Sequence, residues 1–236
     1  MHIPPHNMEI ERIYTQVLAP GKRAIAITSA NSGEGVTSVA LAMAQRNLLA
    51  GHSTLVVDLN LHRPAFRGVL GLDRPATVNG LLDPPQLIAL QELPVAVLGI
   101  PAPAKREAVM KLRNPGVLED CIAGWQQEFD TVIFDTSPVN HVNASIIPPE
   151  RVAAACEGSL MVVLAGHTTE AMVFSATEKM RAAGAQLLGC VLNDRDNPSL
   201  KDELLREVRR LEPRFGRMAR HLGRWIKQNS LLSLEV

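Results

Sequence analysis

Three short stretches of the chain combine residue types that can hold a phosphate and a divalent cation. The first is SANSGEGVTSVALAMA, beginning at Ser29, a glycine-containing loop that runs straight into a helical pattern. Backbone N–H groups of such a loop, together with the helix N-terminus, form a concave site for a di- or triphosphate. The second and third are TLVVDLNLHRP and FDTVIFDTSPVN, which place Asp58 and Asp135 at the ends of apolar runs. Carboxylates at that edge of an open α/β sheet can hold magnesium and orient an attacking group, although either one can also cap a following turn. The template GxxxxGK[ST] matches at Gly35 and Thr37 only, because Ala30 stands at the first glycine and Val36 at the lysine. Gly33, Gly35 and Asp58 also imitate a dinucleotide-binding GxGxxG followed by an acid, but Ser38 occupies the third glycine position. A phosphate-enclosing loop is the better fit.

These residues need elements to position them. Apolar runs bounded by turn residues recur at Ala24 to Ser29, Thr54 to Asp58, Val95 to Ile100, Thr131 to Asp135, Leu160 to Ala165 and Leu187 to Leu192. Each is short and nearly continuous, without period-two alternation, as in strands covered on both faces of a parallel sheet. Helical patterns lie between them at Val36 to Ala50, near Gly116 to Gln127, and at Thr169 to Ala183; a further helix starts after Pro148-Pro149. The alternation predicts an α/β fold, a doubly wound and mostly parallel sheet flanked by helices. The proline-rich stretch from Asp73 to Pro103 reads as a connection with little regular helix. The organisation expected is an N-terminal helix over 1–20, a nucleotide-binding-like domain over 21–198, and a basic helical tail over 199–236.

The 236 residues suffice for one α/β domain with appendages, and a formal net charge of zero gives no global steering toward nucleic acid. Cys121, Cys156 and Cys190 lack CxxC spacing and are expected to be small buried side chains in a reducing compartment. The N-terminus MHIPPHNMEIER carries no signal-like apolar stretch and no run approaches ~20 apolar residues, so a cytoplasmic location is expected. His52, His62, His141 and His167 share no metal-ligand spacing and receive no role. In the tail, Arg214, Arg217, Arg220, Arg224 and Lys227 fall on one side of a helix, with Phe215, Met218, Leu222, Trp225 and Ile226 on the other. Such a helix suits an anionic membrane surface or a partner's groove, and equally a place on its own domain.

The series ITSANSGEGVTS, VVDLNLHRP, FDTVIFDTSPV and GSLMVVLAGHTT through QLLGCVLNDRD resembles the bacterial tyrosine kinases of capsule and exopolysaccharide synthesis. These are relatives of the ParA and MinD group of deviant P-loop ATPases. Their pattern is roughly PGEGKS or PGEGKT, then DADLRRP, then IDTPP, then a VLN segment. The resemblance covers about residues 8 to 197 in consistent order. It implies ATP or ADP with magnesium as ligand. Gly33, Glu34, Gly35, Val36, Thr37 and Ser38 would then line the phosphates, and Asn193 would contact the adenine. Thr37, Asp58 and Asp135 would be the magnesium-side groups, the two aspartates being the vestigial catalytic pair.

Four departures from the family pattern stand out. Val36 removes the lysine, Asn60 replaces the second aspartate of DADLRRP, Ser137 replaces a proline, and Asn31 sits where ParA-type relatives carry a signature lysine. A charge-assisted hydrogen bond is worth about 1.5–3 kcal/mol, so losing the lysine weakens nucleotide binding by roughly 10- to 150-fold, and catalysis by more. Arg63, or an arginine from a partner, is a substitute in principle. The family's ring-forming helix carries ExxRxxR; here Glu9 and Arg12 fit and Thr15 does not, which leaves both self-association and an ordinary surface helix open. Tyr14 is the sole tyrosine, so phosphorylation of a C-terminal tyrosine cluster is excluded.

The function expected is that of a catalytically impaired kinase homologue, a pseudokinase. It would act as an accessory or regulatory protein at an inner-membrane polysaccharide chain-length or export protein, cytoplasmic or peripheral at that membrane. The alternatives are an active ATPase or kinase completed by another chain, and a ParA- or MinD-like positioning factor.

Overall fold

The computed structural model describes residues 3–66, 70–71, 82–88, 96–141 and 143–195, together with residues 204, 208, 216, 225 and 226. The chain divides into two compact units, Met1–Asn193 and Asp194–Val236. In the first, a sheet of eight strands runs β3-β4-β5-β2-β6-β1-β7-β8. The six strands from β5 to β8 pair in parallel, and β3 (Leu70–Gly71) and β4 (Gln86–Ile88) add an antiparallel edge. The strands that matter for function are β1 (Ala24–Ser29), β2 (Thr54–Leu59), β6 (Thr131–Thr136), β7 (Gly158–Leu164) and β8 (Leu187–Asn193). β5 covers Val97–Ile100, shorter than the run from which it was read, and Val95 lies outside the described residues.

Alternate residues of each central strand feed two cores, because successive side chains of a strand point to opposite faces. Ile25, Ile27, Val56, Ile133, Leu160 and Val162 pack with α1 (Met8–Val17) and α2 (Val36–Leu49). Ala24, Ala26, Leu55, Val57, Val132, Phe134 and Met161 pack on the other side. There they meet α3 (Arg106–Leu112), α4 (Val117–Trp125), α5 (Pro149–Ala155) and α6 (Glu170–Ala182). This is the doubly wound, mostly parallel sheet that the alternation predicts. A helix is also present at α3, in a stretch that carries no strong apolar period.

Two expectations about burial need correction. Strand β8 is not covered on both faces: Cys190 and Leu192 are exposed, since β8 is the outer strand and pairs only with β7. The three cysteines are accordingly not all buried; Cys121 is buried, Cys156 half-buried and Cys190 exposed. A continuous apolar run cannot distinguish an edge strand from a central one.

Helix α1 is capped by Asn7, whose side chain accepts from the amides of Glu9 and Ile10. Its Ile10, Tyr14 and Val17 are buried in the α2-side core, and Arg46 of α2 both pairs with Glu11 and lies over the Tyr14 ring at 4.1 Å. The Glu9–Arg12 pair at 2.8 Å is an exposed i,i+3 contact. No described helix is long and apolar enough to cross a membrane. In the second unit, Leu204, Val208, Gly216, Trp225 and Ile226 are helical; Ile226 is buried with Val208 and Leu204, whereas Trp225 is exposed. The basic residues of the tail, Arg214 through Lys227, lie outside the described residues.

Candidate phosphate and cation site

The loop between β1 and α2 lies at the carboxyl edge of the sheet. Gly33 and Gly35 both have positive φ, +85° and +102°, so glycine is what allows the loop to fold back before the helix. Gly35 is the N-cap of α2 and supplies no side chain, and no side-chain oxygen caps this helix, in contrast to Asn7 on α1 and Thr169 on α6. The first turn of α2 therefore presents its amides and the positive end of its dipole to the loop's concave side.

Three strand ends hold the loop in shape. Glu34 is buried, and its carboxylate accepts from the Ala30 amide at 3.0 Å, the Asn31 side chain at 3.2 Å and the Thr168 hydroxyl beyond β7 at 2.6 Å. The Asn193 side chain, at the end of β8, donates to the Glu34 carbonyl at 2.8 Å. The Asn140 amide, beyond β6, donates to the Ala30 carbonyl at 3.0 Å. Glu34 is thus a brace within the loop, and Asn193 is latched to that loop. Asn31 is turned onto Glu34 and onto the Met172 sulfur of α6, at 3.2 Å each. Thr168 and Asn140 lie within the segments GSLMVVLAGHTT and FDTVIFDTSPVN, yet neither their type nor their spacing points to a bracing role.

The two aspartates are neighbours. Asp58 and Asp135 stand directly opposite each other in the β2–β6 register, and both are fully buried. Their chemistry differs. Both oxygens of Asp58 are committed to backbone amides: Oδ1 accepts from Asn60 at 2.8 Å, and Oδ2 from Ala65 at 2.7 Å and Phe66 at 3.0 Å. This is the turn-capping use, made with the chain that follows β2. Burial raises the Asp58 carboxyl above its ordinary value against those three bonds. Asp135 Oδ2 accepts from the Thr37 hydroxyl at 2.5 Å, whereas Oδ1 is buried without a hydrogen-bond partner. Burial, then the charge of Asp58, pushes the Asp135 carboxyl up to about 8, with the Thr37 and Asn60 side chains opposing the rise.

The residues fit a magnesium nucleotide in part. A hydroxyl on the first turn of the helix, adjoining a carboxylate with an uncommitted oxygen, is the donor set a small hard cation takes, and a cation would satisfy the orphaned Oδ1. The phosphate grip does not fit its template, because Val36 is buried in the α2-side core and offers nothing to an anion.

No family model matches the chain. Tyrosine-protein kinase CpsD of Streptococcus agalactiae is 29% identical over 194 residues, covering 77% of this chain and 80% of that protein. The chain is a homologue of the bacterial tyrosine-protein kinases. The succinoglycan biosynthesis transport protein ExoP of Rhizobium meliloti (strain 1021) is 26% identical over 192 residues, 77% of this chain but 23% of the longer protein. Among solved structures, the kinase domain of the Escherichia coli tyrosine kinase ETK superposes with a TM-score of 0.59 at 18% identity, over 78% of this chain and 71% of that one. That likeness bears on the fold alone.

Proposed function

We propose that this protein is a catalytically impaired member of the bacterial tyrosine-kinase group that serves as an accessory or regulatory subunit in capsule or exopolysaccharide assembly. The observation that carries the reading is Val36. The position that should hold the phosphate-gripping lysine is buried in the hydrophobic core, while Thr37 and Asp135 keep a cation-binding arrangement. A site of that kind holds a magnesium nucleotide weakly and stabilises the charge of a transferring phosphoryl group poorly. Tyr14 adds support. As the only tyrosine it is buried under Arg46, so the chain presents no acceptor tyrosine of its own.

The partner in this reading is an inner-membrane polysaccharide chain-length or export protein, contacted from the cytoplasmic side. ExoP, a transport protein of succinoglycan biosynthesis that contains a segment homologous to this chain, supports that assignment. Phe174 on α6 and Leu192 on β8, both about two-thirds exposed, are large apolar side chains available to a protein partner. Self-association through α1 and membrane contact through the Arg214–Lys227 segment belong to the same proposal.

ATP turnover and phosphotransfer by the purified full chain, beside Val36→Lys, test the reading. Turnover at background level in the parent is expected, and robust ATP hydrolysis or phosphotransfer by the parent overturns it. The uncommitted Asp135 Oδ1 favours one second reading, an ATPase completed by a cation from another chain. That version predicts turnover that appears on adding the partner and vanishes in Asp135→Asn.

A further inference from the structure

The segment that follows β2 is tied down more thoroughly than an ordinary surface turn. Asp58 accepts from the amides of Asn60, Ala65 and Phe66, the Asn60 side chain accepts from the Arg63 amide at 3.1 Å, and Phe66 is buried in the α2-side core. His62 adds a ring contact to His141 at 5.9 Å, beyond the end of β6. Residues 58–66 are therefore a preorganised loop whose middle carries Arg63. The Arg63 guanidinium reaches the phosphate loop: its Nη1 lies 4.0 Å from the point a β-carbon on Gly33 would occupy. Among the described residues no carboxylate forms an ion pair with Arg63.

We infer that Arg63 is the phosphate-binding cation of this protein, supplied from the β2 loop across Gly33 in place of the lysine that Val36 has displaced. The ligand is the diphosphate or triphosphate of a magnesium nucleotide, so the inference rests on the nucleotide-site reading above and deepens it. Two observations on opposite sides of the loop converge. Arg63 approaches Gly33 from one strand end, and at another Asp135 accepts from the Thr37 hydroxyl on Oδ2 while its buried Oδ1 has no partner. Anion grip and cation seat are both present without a lysine. A planar guanidinium holds phosphate oxygens in a fork, whereas the template's ammonium is a compact point charge placed at the helix start. An arginine arriving from the β2 side can secure the bound phosphates yet is not anchored on the helix that the transferring group abuts, which agrees with binding that outlives catalysis. Asp58 acquires a role here as a positioning residue, because its carboxylate fixes the loop that presents Arg63.

Calorimetric titration of the full chain with Mg-ADP tests the assignment, using the parent, Arg63→Ala, Val36→Lys and the double variant. Arg63 is exposed, so its truncation leaves the fold in place, and thermal melting of each variant verifies this. Binding by the parent that weakens by about 10- to 150-fold in Arg63→Ala, and returns in Arg63→Ala/Val36→Lys, is the expected result. Equal binding by parent and Arg63→Ala overturns the role of Arg63 while leaving the nucleotide site intact. No binding by the parent with binding by Val36→Lys also overturns it, because Arg63 then supplies no grip. Absence of binding in both overturns the nucleotide-site reading together with this inference.

Discussion

Replacing Asp135 by asparagine should stabilise the protein, and by an amount that grows with pH. Asp135 is fully buried beside Asp58, and its carboxyl is pushed up to about 8 from an ordinary value of 3.8. Because the folded-state value is raised, the native chain retains a proton that the unfolded chain releases between about pH 4 and pH 8. Stability therefore falls as pH rises through that window and flattens above about pH 8, where both states are ionised. Each pKa unit is worth about 1.4 kcal/mol, so the penalty approaches a ceiling of about 6 kcal/mol. Asparagine carries no charge to desolvate and can still accept from the Thr37 hydroxyl. The variant's advantage should widen by about 1.4 kcal/mol per pH unit from pH 5 to pH 8 and then stop growing. Denaturant titrations followed by fluorescence give this directly in a Trp225→Phe background. There Trp125, packed 6.1 Å from the Phe134 ring beside Asp135, reports on the first unit. An advantage independent of pH across that range would mean Asp135 ionises normally, and the account of the buried pair would fail. Millimolar magnesium should flatten the parent's slope if Oδ1 takes the cation.

Two further predictions probe the scaffold. Ile10→Ala should cost about 2–4 kcal/mol in unfolding free energy, because the side chain is buried in the core that α1 shares with α2, whereas Glu9→Ala, which removes an exposed pair, should leave the denaturation midpoint unmoved. Equal effects would mean that α1 is an appendage rather than part of the core. Thr168→Val should destabilise by about 1–3 kcal/mol and weaken Mg-ADP binding, with Thr168→Ser restoring both, since the hydroxyl donates to Glu34 at 2.6 Å and accepts from the Leu164 amide at 3.1 Å. A neutral valine variant would show that Glu34 needs no brace.

Much of the frame was legible because its signals are local. Continuous apolar runs ending in Asp58 and Asp135 give buried parallel strands whose carboxyl ends share one edge, and the register sets the two aspartates side by side. What stayed hidden depends on tertiary placement. Glu34 sits in a phosphate-loop motif and reads as part of its lining, yet its carboxylate is consumed by Ala30, Asn31 and Thr168, the last of them 134 residues away. Asn193 reads as a base contact, and its bond to the Glu34 carbonyl, 159 residues away, carries no sequence signal. Arg63 had the right charge, but nothing in the spacing between positions 33 and 63 says that a guanidinium crosses to Gly33.

The bonds that shape the loop do not depend on a lysine at position 36. Ala30, Glu34 and Gly35 are fixed by contacts from the ends of β6, β7 and β8, and none of these contacts passes through the side chain at position 36. A valine there buries apolar surface and relieves the loop of an unpaired ammonium, so the exchange costs ligand grip and not folding. Persistence of the loop is for that reason weak evidence that anything binds it. Asp135 is the stronger witness. Its orphaned Oδ1 costs about 1–3 kcal/mol and ionising it beside the buried Asp58 costs more, against the one hydrogen bond it accepts from Thr37, and an asparagine there would keep that bond at lower cost for a pure scaffold. A buried acid kept at such a cost next to a helix-borne hydroxyl argues that the site meets a cation.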